Sequence, residues 1–423
     1  MTSRFAGIER ARSGEFDVAR RKLVTTGDPY REGKFVGHWR VHRTLGRGGG
    51  GVVLEVSHRS SPTTRRALKI FRLPSPTDRV HWSTKDVERF ERQFVREGEL
   101  QMNVFKHPNI LRVLDVGVTD NGAPYLVSDL LEGPTLEQVL HAARYGGPAD
   151  LWARPPLCQP ACVWRIGRDI SLALNAVHRR GFVHRDVKPA NLMLSRPTGD
   201  WVAVLTDFGT AVRAGVCDPS DWGIGTARYM APELVSSGTP AAACRLVTTA
   251  SDVYSFAIVL YELLTLVHPY AAPVKELLNG RDRSIVETAE RRRVVTEMYR
   301  LAQRSSSATP ARAYAPWLPQ SVEQALIRAL ARDPALRALW SSLPTSPSFA
   351  TSVAATTRCH SMGRRLSRRS MTTFRRTPPA PSSSSTGSTP SGPLLRPPRS
   401  RTPMSPPCGW SIELERRRQM FPK

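Results

Sequence analysis

The chain reads His184-Arg185-Asp186-Val187-Lys188-Pro189-Ala190-Asn191, and Asp207-Phe208-Gly209 begins sixteen residues after Asn191. One short loop thereby offers a carboxylate, an ammonium and a carboxamide, and a second carboxylate arrives on the next turn. Asp186 can orient a hydroxyl nucleophile, Lys188 can steady a phosphoryl oxygen, and Asn191 with Asp207 can hold magnesium. That is what phosphoryl transfer asks of a protein. His184-Arg185-Asp186 alone would arise often by chance; the eight-residue phrase with Asp207 at this interval would not.

Other residues fit the same chemistry. A strand-like alternation from Trp39 runs into Leu45-Gly46-Arg47-Gly48-Gly49-Gly50-Gly51-Val52-Val53. Gly46, Gly48, Gly51 and Val53 have the spacing G-x-G-x-x-G-x-V, in which glycine lets backbone approach phosphate with no side chain in the way. Four consecutive glycines make a loose lid. Sixteen residues after Val53, Lys69 sits in Ala67-Leu68-Lys69-Ile70.

Together these phrases resemble the eukaryotic-type, bacterial-like serine/threonine protein kinase family. The resemblance covers roughly residues 38–337. It implies an α+β, two-lobed fold: a small antiparallel sheet with one helix over ATP, and a larger, mainly helical lobe. It further implies that Leu45, Gly46, Gly48, Gly51, Val53 and Ala67 line the nucleotide and that Lys69 meets its α and β phosphates. The partner of Lys69 on the helix expected over 86–105 is Glu97, with Glu99 as the rival. Ser128 falls at the gatekeeper position behind the adenine, where Met102 or Phe105 could fill the space left by so small a residue. The backbone at Asp129 and Leu131 faces the adenine edge. Asp186 takes the hydroxyl proton or orients the nucleophile, Lys188 stabilises the transferring phosphoryl group, and Thr226 reaches Lys188. Asn191 and Asp207 bind the metal. ATP with Mg2+ (or Mn2+) is the implied cofactor set. The implied partners are proteins with Ser or Thr acceptors, with autophosphorylation in reach.

The elements that must position these groups are legible in outline. Runs at 110–116 and 124–131 read as strands around the turn Asp120-Asn121-Gly122. Val163, Ile166, Ile170, Leu174 and Val177 have the spacing of a buried helical stripe. A hairpin over 191–205 leads to Asp207. The segment Gly225-Thr226-Ala227-Arg228-Tyr229-Met230-Ala231-Pro232-Glu233 resembles the close of the family's activation segment. A helix from Ser251 is apolar nearly all round and should be buried. By the same resemblance its Asp252 braces the catalytic loop, and Arg337 pairs with Glu233. Arg185 suggests regulation by a phosphate on Thr210 or Ser220, for which Asp218 and Asp221 could stand in.

The domain reading is a polar extension over 1–34, a catalytic domain over 35–342 and a tail over 343–423. Within the domain, the small lobe is 35–128, the connector 129–133 and the large lobe 134–342. The net charge is +25, and residues 338–423 contribute 14 Lys/Arg against 2 Asp/Glu. The tail, rich in Ser, Thr, Pro and Arg, cannot bury enough apolar surface to offset its ordering entropy. It reads either as a disordered extension or as out-of-frame translation past a lost closing helix. With Phe374 the sole aromatic among its first arginine pairs, stacking on nucleic acid is not favoured. Six scattered cysteines read as reduced thiols without zinc spacing. No apolar run is long enough for a signal peptide core or a membrane span, so the expectation is a cytoplasmic protein. The alternative to an active kinase is a catalytically impaired scaffold with a basic interaction tail.

Overall fold

The computed structural model describes residues 30–48, 51–71, 84–120, 123–146, 160–198, 200–216, 226–236, 239–278 and 288–337. The chain divides into two units, 1–354 and 355–423, and every described residue lies in the first. The tail reading, the glycine tip at Gly49 and Gly50, the turn at Asn121-Gly122, and Asp218, Ser220 and Asp221 fall outside the described residues.

The small lobe is built on an antiparallel sheet of β1 (Phe35–Val36), β2 (Trp39–Gly48), β3 (Gly51–His58), β4 (Ser61–Ile70), β5 (Val113–Val118) and β6 (Pro124–Asp129), in the order β1-β2-β3-β4-β6-β5. Side chains alternate across a strand. Val52, Leu54 and Val56 of β3 therefore bury one face together with Leu68 and Ile70 of β4. Lys69 and Val53, paired across β3 and β4, point to the other face. Helix α1 (Thr84–Asn103) packs through Phe94 onto Phe71, Val113 and Leu126, with Met102 alongside. Gly98 permits the close approach, since a Cβ there would stand 2.8 Å from a Val116 methyl.

The strand expected at 110–116 starts later, at Val113. Ile110 bridges Leu205 instead, and the Leu111 N–H bonds the Leu205 carbonyl at 2.9 Å, so this backbone is spent tying the two lobes together.

The large lobe follows with α2 (Leu136–Tyr145), α3 (Pro160–His178), β7 (Phe182–Val183), the hairpin β8 (Leu192–Thr198) and β9 (Asp200–Leu205), and β10 (Val212–Arg213), which pairs with β7. Then come α4 (Pro232–Ser236), α5 (Pro240–Leu246), α6 (Thr249–Thr265), α7 (Ala271–Leu278), α8 (Thr288–Ser305) and α9 (Gln320–Ala329). As its composition demands, α6 is buried from Ser251 to Leu263 and forms the spine of the core with α3 and α9. The site hangs from that spine. Arg337 closes it with a two-pronged ion pair to Glu233, at 2.7 and 2.8 Å.

Two further expectations meet the structure here. Cys244 is disulfide-bonded, which corrects the reading of six reduced thiols; its partner lies outside the described residues, while Cys162 is a free thiol. No helix among the described residues is long and apolar enough to cross a membrane.

Candidate active site

Lys69 lies between strand and helix. Its Nζ meets Glu97 Oε2 at 2.8 Å and Oε1 at 3.0 Å, and Asp207 Oδ1 at 3.6 Å. Glu99, two residues on, is exposed and makes no such contact. Burial alone would push the Lys69 ammonium down, but the carboxylates of Asp207 and Glu97 outweigh it and hold the group above its ordinary value. Burial pushes the Glu97 carboxyl up, against the pull of Lys69. The Lys69 charge keeps Asp207 below the usual carboxylate range. The cation is therefore secure, and Glu97 is the member whose ionisation the site resists.

The loop over 184–191 is held by several side-chain bonds. Lys188 Nζ stands 2.6 Å from Asp186 Oδ2 and 3.0 Å from Thr226 Oγ1. Asn191 Nδ2 donates to the Asp186 carbonyl at 2.8 Å and to its Oδ2 at 3.0 Å. The Thr226 N–H donates to Asp186 Oδ1 at 3.1 Å. Behind the loop, buried Asp252 of α6 accepts from the backbone N–H groups of His184 (2.8 Å) and Arg185 (2.9 Å), with His178 Nε2 also 2.8 Å away. Burial works against its ionisation, yet the His178 hydrogen bond and those N–H groups hold Asp252 below its ordinary value.

That bracing has a use. Arg185 and Asp207 take left-handed backbone, φ 68° and 64°. Such a conformation costs a non-glycine residue on the order of 1–2 kcal/mol and persists only where the surroundings enforce it. Arg185 adjoins Asp186, and Asp207 is itself the second carboxylate that the sequence singles out.

On the nucleotide side, Ala67 pairs with Ser128, and Gly46 and Gly48 of β2 pair with Val53 and Gly51 of β3. Leu45 is exposed on β2. A Cβ built on Gly46 meets nothing within 4 Å, so the chain's own packing does not demand glycine there. Ser128 is buried, and its Oγ donates to the Asp129 carbonyl at 3.2 Å. Among the described residues nothing accepts the Leu131 N–H. Met102 belongs to the cluster under α1, and Phe105 is stacked on Phe208 and Phe182, so each has a packing role of its own.

The fit to a divalent cation can be judged from the donors. With Asn191 Nδ2 turned to Asp186, Asn191 presents Oδ1, and Asp207 presents a half-exposed carboxylate. These are hard oxygen donors. Among the described residues no group of three or more His, Cys, Asp or Glu could hold a metal alone. The set suits a hard cation that completes its shell with phosphate oxygens and water.

Sequence reasoning missed one cluster beside the loop. The fully buried carboxylate of Glu262 on α6 takes Arg144 Nη2 at 3.0 Å, Tyr229 OH at 2.8 Å and Arg228 Nη2 at 3.5 Å. Arg144 is 118 positions away, so no short sequence spacing links it to Glu262. Gly133 was also passed over as connector, although a Cβ there would sit 2.2 Å from the Leu194 carbonyl. The Arg185 guanidinium, expected to wait for a phosphate, donates through Nε to the Thr210 carbonyl at 2.6 Å, and the Thr210 hydroxyl donates to the His184 carbonyl.

Comparison with known proteins adds a family. The model of the protein kinase domain matches residues 39–348. Among curated proteins, the serine/threonine-protein kinase PknH of Mycobacterium bovis is 35% identical over 244 residues, covering 57% of this chain and 35% of that protein. PknK of the same organism is 32% identical over 298 residues, covering 69% and 22%. PkaA of Streptomyces coelicolor is 38% identical over 176 residues, covering 41% and 28%. The chain thus matches about a third or less of the length of these relatives. Among solved structures, the Mycobacterium tuberculosis PknI kinase domain aligns over 77% of this chain and 99% of that one, at 25% identity and a TM-score of 0.46.

Proposed function

The chain belongs to the protein kinase domain family, and on that premise we propose that it transfers the γ-phosphoryl group of ATP to serine and threonine hydroxyls of proteins. One observation carries the reading: Asp186 meets Lys188, Asn191 and Thr226 at hydrogen-bond distance while the Lys69–Glu97 pair is made. Every charged group that the reaction needs is thereby held in one arrangement, and catalysis of this transfer is almost wholly positioning and electrostatics.

In this mechanism Lys69, held by Glu97, binds the α and β phosphates beneath the lid formed by Gly46, Gly48 and Gly51, with Leu45, Val53 and Ala67 against the nucleoside. The Asp129 carbonyl and Leu131 N–H take the adenine edge, and Ser128 lies behind it. Asn191 and Asp207 hold a divalent cation, for which we propose Mg2+. When bound, it neutralises charge on the phosphate oxygens. Asp186 orients the acceptor hydroxyl and takes its proton at a carboxylate oxygen. Lys188 steadies the transferring group, and Thr226 fixes both by bridging them. Autophosphorylation belongs to the same proposal. Against a catalytically impaired scaffold stands the formed Lys69–Glu97 pair, which such a protein has no reason to keep.

The test is full-length protein with labelled ATP, Mg2+ and a generic protein acceptor, followed by phosphoamino-acid analysis. Phosphoserine and phosphothreonine are expected. Phosphotyrosine alone, or no transfer, overturns the reading.

A further inference from the structure

Arg228 stands two residues after Thr226, whose N–H and hydroxyl both touch the Asp186 carboxylate. It is therefore close to wherever an acceptor hydroxyl meets Asp186. Its backbone is pinned: Gln303 Nε2 donates to the Arg228 carbonyl at 2.7 Å, and His268 Nε2 is 3.0 Å from the same oxygen. The His268 ring accepts the Tyr270 N–H at Nδ1, which leaves Nε2 as its donor. Its guanidinium lies over the Tyr299 ring at 4.7 Å.

The charges around it do not balance. Glu262 brings one carboxylate with no exposed surface, and Arg144 already neutralises it, gripping Oε1 at 3.0 Å while its own Nε donates to the Leu266 carbonyl. Arg228 reaches the same oxygen only at 3.5 Å, its Nε has no hydrogen-bond partner, and its side chain is 40% exposed. A guanidinium carries five N–H donors in a rigid fork suited to a carboxylate. The Nε is buried, so a further bond falls to the Nη groups of a side chain that is 40% exposed. A basic side chain on an incoming peptide would meet two arginines and could not reach the sealed Glu262.

We propose that Arg228 is a specificity-determining residue, which selects protein substrates bearing an acidic side chain within about four residues of the acceptor, the reach set by an arginine side chain and extended peptide. The proposal rests on the kinase reading above. Arg144 and Glu262 act as positioning residues, and the Tyr299 ring lies against the guanidinium.

Peptides with one serine acceptor and a single Asp, Ala or Arg at each of the four positions on either side are assayed with the full-length protein. At one position, Asp is expected to exceed Ala by about five- to tenfold in kcat/KM, carried mainly by KM, with Arg below Ala. In Arg228→Gln the Asp/Ala ratio should fall to within about twofold of unity, and Arg228→Lys should restore part of it. Transfer to these peptides with no Asp preference in the parent, or a preference for Arg, overturns this proposal alone. An Asp preference that survives in Arg228→Gln overturns it too. No transfer to any peptide overturns the kinase reading and this one with it.

Discussion

Glu97 and Glu99 differ by two places on α1, and the helix turns only the first toward Lys69. Spacing could not separate them, because a helical residue's direction depends on how α1 is rotated against the sheet. Gly98, which lets α1 approach Val116, is a signal that could have been weighed. Glu97→Gln should lower kcat/KM by about ten- to a hundredfold, since a charged member of a buried pair is lost. Glu99→Gln should stay within about twofold, and steady-state kinetics decides. Ser128 carries a second prediction at this scale. Its hydroxyl is turned to the Asp129 carbonyl, Phe105 packs on Phe208, and Met102 packs on the cluster of Phe71, Phe94, Val113 and Leu126. ATP analogues enlarged at the adenine amino group should therefore bind. Ser128→Met should weaken them by about 1.5–3 kcal/mol, the burial of an added ring, while ordinary ATP turnover persists. Equal inhibition of parent and Ser128→Met by a bulky analogue would contradict it.

At the scale of elements, the strained turn at Arg185 hangs from one buried helix through Asp252. Asp252→Ala should leave the N–H groups of His184 and Arg185 without their acceptor. A loss of roughly 3–5 kcal/mol in denaturant unfolding is expected, since removing one member of a buried, multiply bonded network orphans the others. The catalytic phrases were legible because their chemistry sits on short contiguous spacing, and α6 was legible because it is apolar all round. The Glu262 cluster was not, because its members come from α2, the turn before α4, and α6, and each looks ordinary alone. His268, packed between Arg228 and α8, was equally invisible. Burial holds its imidazole well below the ordinary 6.5. The unfolded chain takes up a proton below that pH and the folded one does not. Stability is thus undiminished by His268 above about pH 6.5 and falls as pH drops, by up to about 1.4 kcal/mol per pH unit. His268→Gln should flatten the slope of unfolding free energy between pH 6.5 and 5.

Over the whole molecule, the lobes are stitched by backbone at Leu111 and Leu205 and by the Lys69–Asp207 contact, so the proposed nucleotide and acceptor sites draw on both. The most direct measurement is phosphoryl transfer by full-length Asp186→Asn beside the parent, with ATP affinity measured on both. General-base catalysis and nucleophile orientation are worth about a hundred- to ten-thousandfold. The account predicts a loss of at least a hundredfold in kcat with ATP affinity changed less than threefold. Residual transfer within tenfold of the parent would contradict it.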